Sequence, residues 1–172
     1  MVNIGFHLSI SGNNGFVSAL QHAHDLGINA LQIFTKSPRR WQNNKITAEQ
    51  IKQFRELRRS LKINVIVIHS SYLVNLGSDE ELKNKSLASI LDDIEKAEAL
   101  GIEYVVFHPG SGAFEQIRAG LLELGPKIPP NVKILIENTA SNKNKVCSRF
   151  ELLGRLIEGT NIGICLDTCH AL

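Results

Sequence analysis

The sequence predicts an α/β fold with a parallel sheet, built from about six strands and five helices. Short apolar runs alternate with amphipathic stretches along all 172 residues, separated by Gly, Asn, Ser or Pro. Uninterrupted runs such as VIVI and KILI are typical of strands that helices cover on both faces. Four runs end in residues that can bind a metal, and barrels keep their functional residues at strand carboxyl ends.

The elements follow from these runs in chain order. The predicted strands are NIGFHL at 3–8, ALQIF at 30–34, NVIVI at 64–68, EYVVF at 103–107, VKILI at 132–136 and IGICL at 162–166. Amphipathic helices are predicted between them at 15–26, 47–61, 79–99, 113–124 and 148–158. Gly27 and Gly101 suit left-handed helix ends, and Thr47 with Gln50 makes a capping box. We expect residues 1–172 to form a single domain.

Composition narrows the class of protein. No apolar run approaches the roughly 20 residues of a membrane span, and MVNIGFHLSI has neither a basic start nor a cleavage site for export. A cytoplasmic protein is therefore predicted. The three cysteines are an odd number and are expected to be reduced. Cys165 and Cys169 could be thiolate ligands, but we interpret them as small buried residues and leave them out of the site.

The net charge of +2 hides a basic segment between residues 36 and 62. Its basic residues are Lys36, Arg39, Arg40, Lys45, Lys52, Arg55, Arg58, Arg59 and Lys62, against Glu49 and Glu56. A polyanionic partner and a solvated helix face both explain such a segment. Charge alone does not choose between them.

Metal-ligating residues stand at the ends of four predicted strands: His69, His108, Glu137, and Asp167 with His170. Because side chains alternate along a strand, His69 shares a face with Val67 and Val65, and that face points into a barrel. Each residue alone could be an ordinary rim residue. Together they form a nitrogen and oxygen ligand set that suits zinc or manganese, and the carboxylate of Glu137 can bridge two ions.

Three further histidines have weaker claims. His7 ends the first predicted strand and could support a ligand or contact substrate, but no partner for it can be identified. His22 and His24 lie two apart on a predicted helix and cannot share a face. We expect both to be surface residues.

The motifs FTKSPRRW, HSSYLVNLGS, FHPGSG, IENTA and DTCHA, in this order, resemble the endonuclease IV family of apurinic/apyrimidinic endonucleases. The resemblance implies a parallel (β/α)8 TIM barrel of the xylose isomerase type with up to three zinc ions. This chain carries about six strands and five helices of such a barrel, so residues 1–172 would form a single, incomplete TIM-barrel domain. It implies that His69 and His108 bind the first zinc, that Glu137 is catalytic and bridges to the second, that Asp167 binds the second, and that His170 binds the third. It further implies incision of double-stranded DNA 5′ to an abasic site by zinc-activated hydroxide, leaving 3′-hydroxyl and 5′-deoxyribose-phosphate ends.

The resemblance also assigns DNA contacts. It implies that Arg39, Tyr72 and Leu73 act as wedges in the duplex and that Lys36 and Arg40 contact phosphates. Loop packing is the alternative explanation for Tyr72 and Leu73. Such a repair nuclease is expected in the cytoplasm, associated with the nucleoid during repair.

The resemblance covers only the front two-thirds of a family member, so the last two βα units are expected to be absent. The first hypothesis is an abasic-site endonuclease whose missing portion comes from a longer reading frame or a partner chain. The second is a non-catalytic remnant or DNA-binding fragment. A metal-dependent sugar isomerase or epimerase ranks third, because such barrels also gather His, Glu and Asp around a divalent ion.

Overall fold

The computed structural model describes residues 2–11, 15–41, 45–140 and 146–171, and within them every predicted strand and helix is found. The strands are β1 (Gly5–His7), β2 (Ala30–Ile33), β3 (Val65–His69), β4 (Tyr104–Phe107), β5 (Lys133–Glu137) and β6 (Gly163–Cys165). The helices are α1 (Gly15–Asp25), α2 (Ala48–Ser60), α3 (Glu80–Leu100), α4 (Phe114–Leu124) and α5 (Phe150–Ile157). Short 3-10 turns cover Gly125–Lys127, Val146–Ser148 and Cys169–Ala171.

The six strands form one parallel sheet in the order β1-β2-β3-β4-β5-β6. A helix lies between each pair of consecutive strands, which is the repeating unit of a TIM barrel. Because all strands run in the same direction, their carboxyl ends lie along one edge. The predicted fold class is confirmed, and this edge is where the candidate site forms.

Each strand has one face towards the helices and one face towards the barrel interior. On β3, Ile66 and Ile68 are fully buried in the core that the helices cover, whereas Val65 and Val67 on the other face are only partly buried. The same alternation separates Ile134 and Ile136 from the partly buried Leu135 of β5, and it places the strand-end ligands on the interior face.

Two predicted helix boundaries have the expected chemistry. The backbone N–H of Gln50 donates to Thr47 Oγ1 at 3.2 Å while Thr47 N donates to Gln50 Oε1 at 2.9 Å, so the capping box is present. Gly101 ends α3 with φ 71° and its N–H donates to the carbonyl of Ala97 or Glu98. Strand ends were predicted less well, since β1 is shorter than 3–8 while β3 and β5 extend one residue further, through His69 and Glu137.

The outer strands of the described sheet carry exposed apolar side chains. On and before β1, Val2, Ile4 and Phe6 are 77%, 62% and 58% exposed. At β6, Ile164 and Leu166 are 40% and 59% exposed. These side chains leave apolar surface exposed at both outer strands of the described sheet. Among the described residues, no helix combines the length and apolar character that a bilayer crossing requires.

Candidate metal centre

The five sequence-predicted ligands converge at the carboxyl edge of the sheet. His69 is the last residue of β3 and Glu137 the last of β5, while His108 directly follows β4. Asp167 and His170 lie just beyond β6, on the turn that follows it. Adjacent strands in register therefore bring residues that are far apart in the sequence into one cavity of about 660 Å³. Gln32, Tyr72 and Cys165 also line this cavity.

Glu137 lies at the centre of the cluster. Its Oε2 is 3.2 Å from His69 Nε2, and its Oε1 is 3.7 Å from both His108 Nε2 and His170 Nδ1. Asp167 Oδ2 is 3.3 Å from His170 Nδ1. The candidate ligands form two groups, and within each group the ligand atoms all lie within 4.8 Å of one another. One group is His69, His108 and Glu137; the other is Glu137, Asp167 and His170. We call them the first group and the second group.

Hydrogen bonds hold the imidazoles in place. His69 Nδ1 lies 2.7 Å from the Ser70 carbonyl, which can only accept, so Nδ1 donates to it and Nε2 faces Glu137 Oε2 at 3.2 Å. The His108 ring stacks obliquely between His69 and His170, with ring centroids 5.4 and 5.5 Å away. His108 Nδ1 is buried and has no hydrogen-bond partner among the described residues. The other ring nitrogen, Nε2, is the one that lies 3.7 Å from Glu137 Oε1.

The electrostatics favour the protonation states that bind metals. Burial lowers the pKa of His108; Glu137 opposes this shift, whereas the imidazoles of His69 and His170 add to it. Burial alone would raise the pKa of Asp167, but hydrogen bonds from the backbone N–H groups of His170 and Cys169 outweigh it and lower that pKa. A neutral imidazole and a charged carboxylate result near pH 7, and both are the ligating forms. The donor set therefore fits a divalent metal ion.

All three cysteines are free, as the odd count predicts. Burial, followed by the charges of Glu137 and Asp167, raises the pKa of Cys165, so its thiol stays protonated and is a poor ligand. Cys147 is buried. The prediction that Cys165 and Cys169 are small buried residues is wrong for Cys169, which is exposed, and only half right for Cys165, which is partly buried.

Two loops beside the cavity carry the predicted DNA contacts, and hydrogen bonds join them. The Pro38 carbonyl accepts from Ser71 Oγ at 2.8 Å and from Tyr72 N at 3.0 Å. Arg39 and Arg40 are exposed, and Tyr72 is 56% exposed with its ring 5.5 Å from that of His69. Leu73 is partly buried and, with Tyr72, lines a neighbouring cavity of about 520 Å³. The structure thus brings these four residues to the edge that holds the ligands.

Lys36 does not join them. Its side chain is buried, and Nζ donates to Asp92 Oδ2 at 2.7 Å and to the Ser89 carbonyl at 2.9 Å, while Asp93 Oδ1 lies 3.1 Å away. The expectation that Lys36 contacts a phosphate is therefore corrected, since its charge is already neutralised by α3. The sequence does not reveal this pairing because Asp92 lies 56 residues further along the chain than Lys36.

The other histidines and the residues that sequence reasoning missed lie around the ligands. His7 is hydrogen-bonded through Nδ1 to Gln32 Nε2 at 3.1 Å, and its ring lies 4.6 Å from that of Phe34. Burial, followed by the charge of His69, lowers the pKa of His7. His22 and His24 are exposed, as predicted. Sequence reasoning missed Phe34, whose ring packs edge-on against His69 and Tyr72. It also missed Asn138, although this residue directly follows Glu137 in IENTA.

A parallel barrel with metal-ligating residues at its strand ends defines a broad class of proteins, and comparisons with known proteins narrow it. Residues 20–172 match the family model described as a xylose isomerase-like TIM barrel, that of AP endonuclease family 2. Endonuclease 4 of Thermus thermophilus is 47% identical over 175 residues, covering 99% of this chain and 64% of that protein. The chain therefore belongs to the endonuclease IV family.

Solved structures agree. The crystal structure of endonuclease IV from Thermus thermophilus has a TM-score of 0.95 and 46% identity, covering 99% of this chain and 64% of that one. A D-tagatose 3-epimerase-like protein has a TM-score of 0.75 at 22% identity, over 98% of this chain and 66% of that one. The latter likeness shows the fold alone. The chain spans 64% of the length of the curated bacterial relatives with which it is compared.

Proposed function

We propose that this chain belongs to a DNA repair enzyme that hydrolyses the phosphodiester bond 5′ to abasic sites in double-stranded DNA, leaving 3′-hydroxyl and 5′-deoxyribose-phosphate ends. One observation carries the proposal: the single carboxylate of Glu137 belongs to two metal-ready groups at the sheet edge. A shared carboxylate is what a multi-metal phosphodiesterase needs to hold ions on both sides of a reacting phosphate. The relatives named endonuclease 4 support DNA as the substrate.

Zinc is the proposed metal, with up to three ions in a complete site. The imidazole and carboxylate donors fit zinc, and no thiolate is needed. His69, His108 and Glu137 would hold the first ion, Glu137 and Asp167 the second, and His170 part of the shell of a third. Bound zinc would supply a water of pKa about 7 and positive charge to neutralise the phosphate. Glu137 would be the catalytic carboxylate, because it belongs to both groups and would help to hold both ions.

The DNA-facing residues act by shape and charge. Arg39, Tyr72 and Leu73 would insert beside the lesion, where a missing base already weakens stacking and a kink is easy to form. Arg40 would contact a backbone phosphate. The shared carbonyl of Pro38 ties the two loops together and would deliver Arg39 and Tyr72 to the duplex as a unit.

The same proposal includes a complete barrel. The chain would be one incomplete TIM-barrel domain, with the last two βα units supplied by a longer polypeptide or by a partner chain. The exposed apolar side chains at β1 and β6 support this, since they offer the contacts that such units would bury. The second candidate function is a non-catalytic DNA-binding fragment, which an open barrel without those two units also suits.

An incision assay tests these proposals. The purified chain is incubated with zinc and an end-labelled duplex carrying one abasic site, with and without the polypeptide that corresponds to the remaining third of a relative. Cleavage 5′ to the site, absent from an intact duplex and from the Glu137→Gln variant, is the expected result. Salt-dependent binding without cleavage under both conditions favours the DNA-binding fragment. If the chain neither binds nor cleaves the duplex under either condition, both proposals are overturned.

The proposed location is the cytoplasm, with recruitment to the nucleoid during repair, because chromosomal DNA is the substrate. Imaging of the tagged chain before and after treatment with an agent that creates abasic sites tests this. Redistribution onto DNA is expected, and an unchanged distribution away from DNA contradicts it.

A further inference from the structure

Asn138 is a buried side chain, 2% exposed, that directly follows Glu137 and joins the ends of β5 and β6. The paired strands end at Glu137 opposite Cys165. Beyond that point, Asn138 Nδ2 donates to the Asp167 carbonyl at 2.8 Å, and Asp167 N donates to Asn138 Oδ1 at 2.6 Å. A side-chain amide offers the same donor and acceptor as a peptide group. The Asn138 side chain thus extends the sheet ladder by one reciprocal pair.

This pair fixes the turn that carries the last two candidate ligands. With the Asp167 backbone held, its Oδ1 accepts from Cys169 N at 2.7 Å and from His170 N at 3.2 Å, which leaves Oδ2 facing the His170 ring. The Asn138 carbonyl lies 3.0 Å from His170 Nδ1 and holds that ring beside both carboxylates. Asn138 is therefore linked to all three residues of the second group. It directly follows Glu137, its side chain is hydrogen-bonded to the Asp167 backbone, and its carbonyl lies against the His170 ring.

The first group is supported differently. His69 belongs to β3 and is oriented by the Ser70 carbonyl, and His108 follows β4. Neither histidine has a hydrogen bond to Asn138 among those described for the two rings. A change at Asn138 should then act on one group and spare most of the other. A merely structural asparagine would weaken both groups together.

We propose that Asn138 is a positioning residue for the second group, one that sets Asp167 and His170 around Glu137 by extending the sheet ladder. The proposal rests on the metal centre of the proposed function. Residues that hold ligands in place typically contribute 10–100-fold to metal affinity. Asn138 is proposed to contribute about that much to one ion and little to the other.

Zinc titrations of the full chain by calorimetry, with Zn²⁺ alone as the probe, test the proposal. The wild type should bind two ions. In Asn138→Ala, the affinity for one ion should fall about 10–100-fold while the other changes by less than about 3-fold. Asn138→Asp keeps the volume but sets an acceptor against the Asp167 carbonyl, so its loss should match that of alanine. Asn131→Ala, at an exposed turn position, is the matched control and should change neither affinity.

A double-mutant cycle sharpens the test. If Asn138 acts through the second group, Asn138→Ala should add little to the loss of zinc affinity caused by Asp167→Ala, because the Asn138 side chain holds the Asp167 backbone. Thermal unfolding of each variant checks that the chain is folded. If Asn138→Ala does not fold, the isosteric Asn138→Asp is compared with the wild type instead. If zinc binding is unchanged in both variants, or if both ions are lost equally, the role of Asn138 is overturned while the proposed metal centre stands. A folded wild type that binds no zinc overturns the proposed metal centre as well.

Discussion

At the scale of single residues, Glu137 has the largest predicted effect because it belongs to both groups. Glu137→Gln keeps the size of the side chain and removes its charge. We expect zinc affinity to fall at both groups by more than the roughly 10–100-fold expected for a supporting residue. Calorimetric titration measures the loss, and Glu95→Gln on the exposed side of α3 is the control. Retention of either ion at wild-type affinity would contradict the central position of Glu137.

The cysteines give a second prediction at this scale. Burial raises the pKa of Cys147 to about 12, while Cys169 is exposed. Alkylation at about pH 8, followed by mass spectrometry of the peptides, should modify Cys169 first and Cys147 only after unfolding. Because an unfolded thiol ionises near pH 9 and the folded one near 12, the contribution of Cys147 to stability is complete below pH 9 and is lost as the pH rises towards 12. Fast alkylation of Cys147 in the native chain would refute the expected order of modification.

Functional residues could be predicted from the sequence where a metal-ligating residue type stands at the end of a predicted strand. All five candidate ligands stand at strand ends in the sequence, so the alternation of apolar runs was enough to find them. Asn138 was not predictable, because its partner Asp167 is 29 residues away and only the pairing of β5 with β6 brings them together. Lys36 was misassigned for the same reason.

At the scale of elements, the buried ion pairs between Lys36 and α3 anchor the end of β2. Asp93 is fully buried and also accepts a hydrogen bond from Thr35 Oγ1. Lys36→Met leaves this carboxylate without its cation and should lower the free energy of unfolding by about 3–5 kcal/mol. Adding Asp93→Asn should recover part of the loss.

Urea denaturation followed by circular dichroism measures these changes. Lys52→Met, an exposed position on α2, is the control and should change stability by less than about 0.5 kcal/mol. If Lys36 instead contacted DNA, Lys36→Met would weaken DNA binding while leaving the unfolding transition in place. That result would restore the original expectation.

Two glycines in helices make a matched pair of predictions. Gly101 ends α3 with φ 71°, where an L side chain is strained even though an added Cβ would have its nearest neighbour, Arg55 Nε, at an ordinary 3.7 Å. Gly101→Ala should therefore destabilise the chain by about 1 kcal/mol. Gly154 lies inside α5 with open space around it, so Gly154→Ala should stabilise by about 0.5–1 kcal/mol. Thermal unfolding compares them, and equal signs would contradict the backbone argument.

At the scale of the whole molecule, the apolar side chains at β1 and β6 dominate the expected solution behaviour. Phe6 on β1 and Leu166, directly after β6, are 58% and 59% exposed. We expect the purified chain to self-associate with rising concentration, and Phe6→Ser with Leu166→Ser to reduce this. Sedimentation velocity measures it. Leu122→Ser, at a 48% exposed position on α4, is the control, and an equal effect there would contradict the role of the strand edges.

Sequence and structure contribute different parts of this account. The sequence by itself determined the alternation of strands and helices, the fold class and the five candidate ligands, because side-chain periodicity and residue chemistry are local properties. Only the tertiary structure decided that Glu137 is shared by two groups, and that Pro38 links the two loops that carry the predicted DNA contacts. It also decided that Lys36 is neutralised by α3 and that Asn138 extends the ladder. Each of these depends on contacts between distant residues, which exist only once parallel strands are in register.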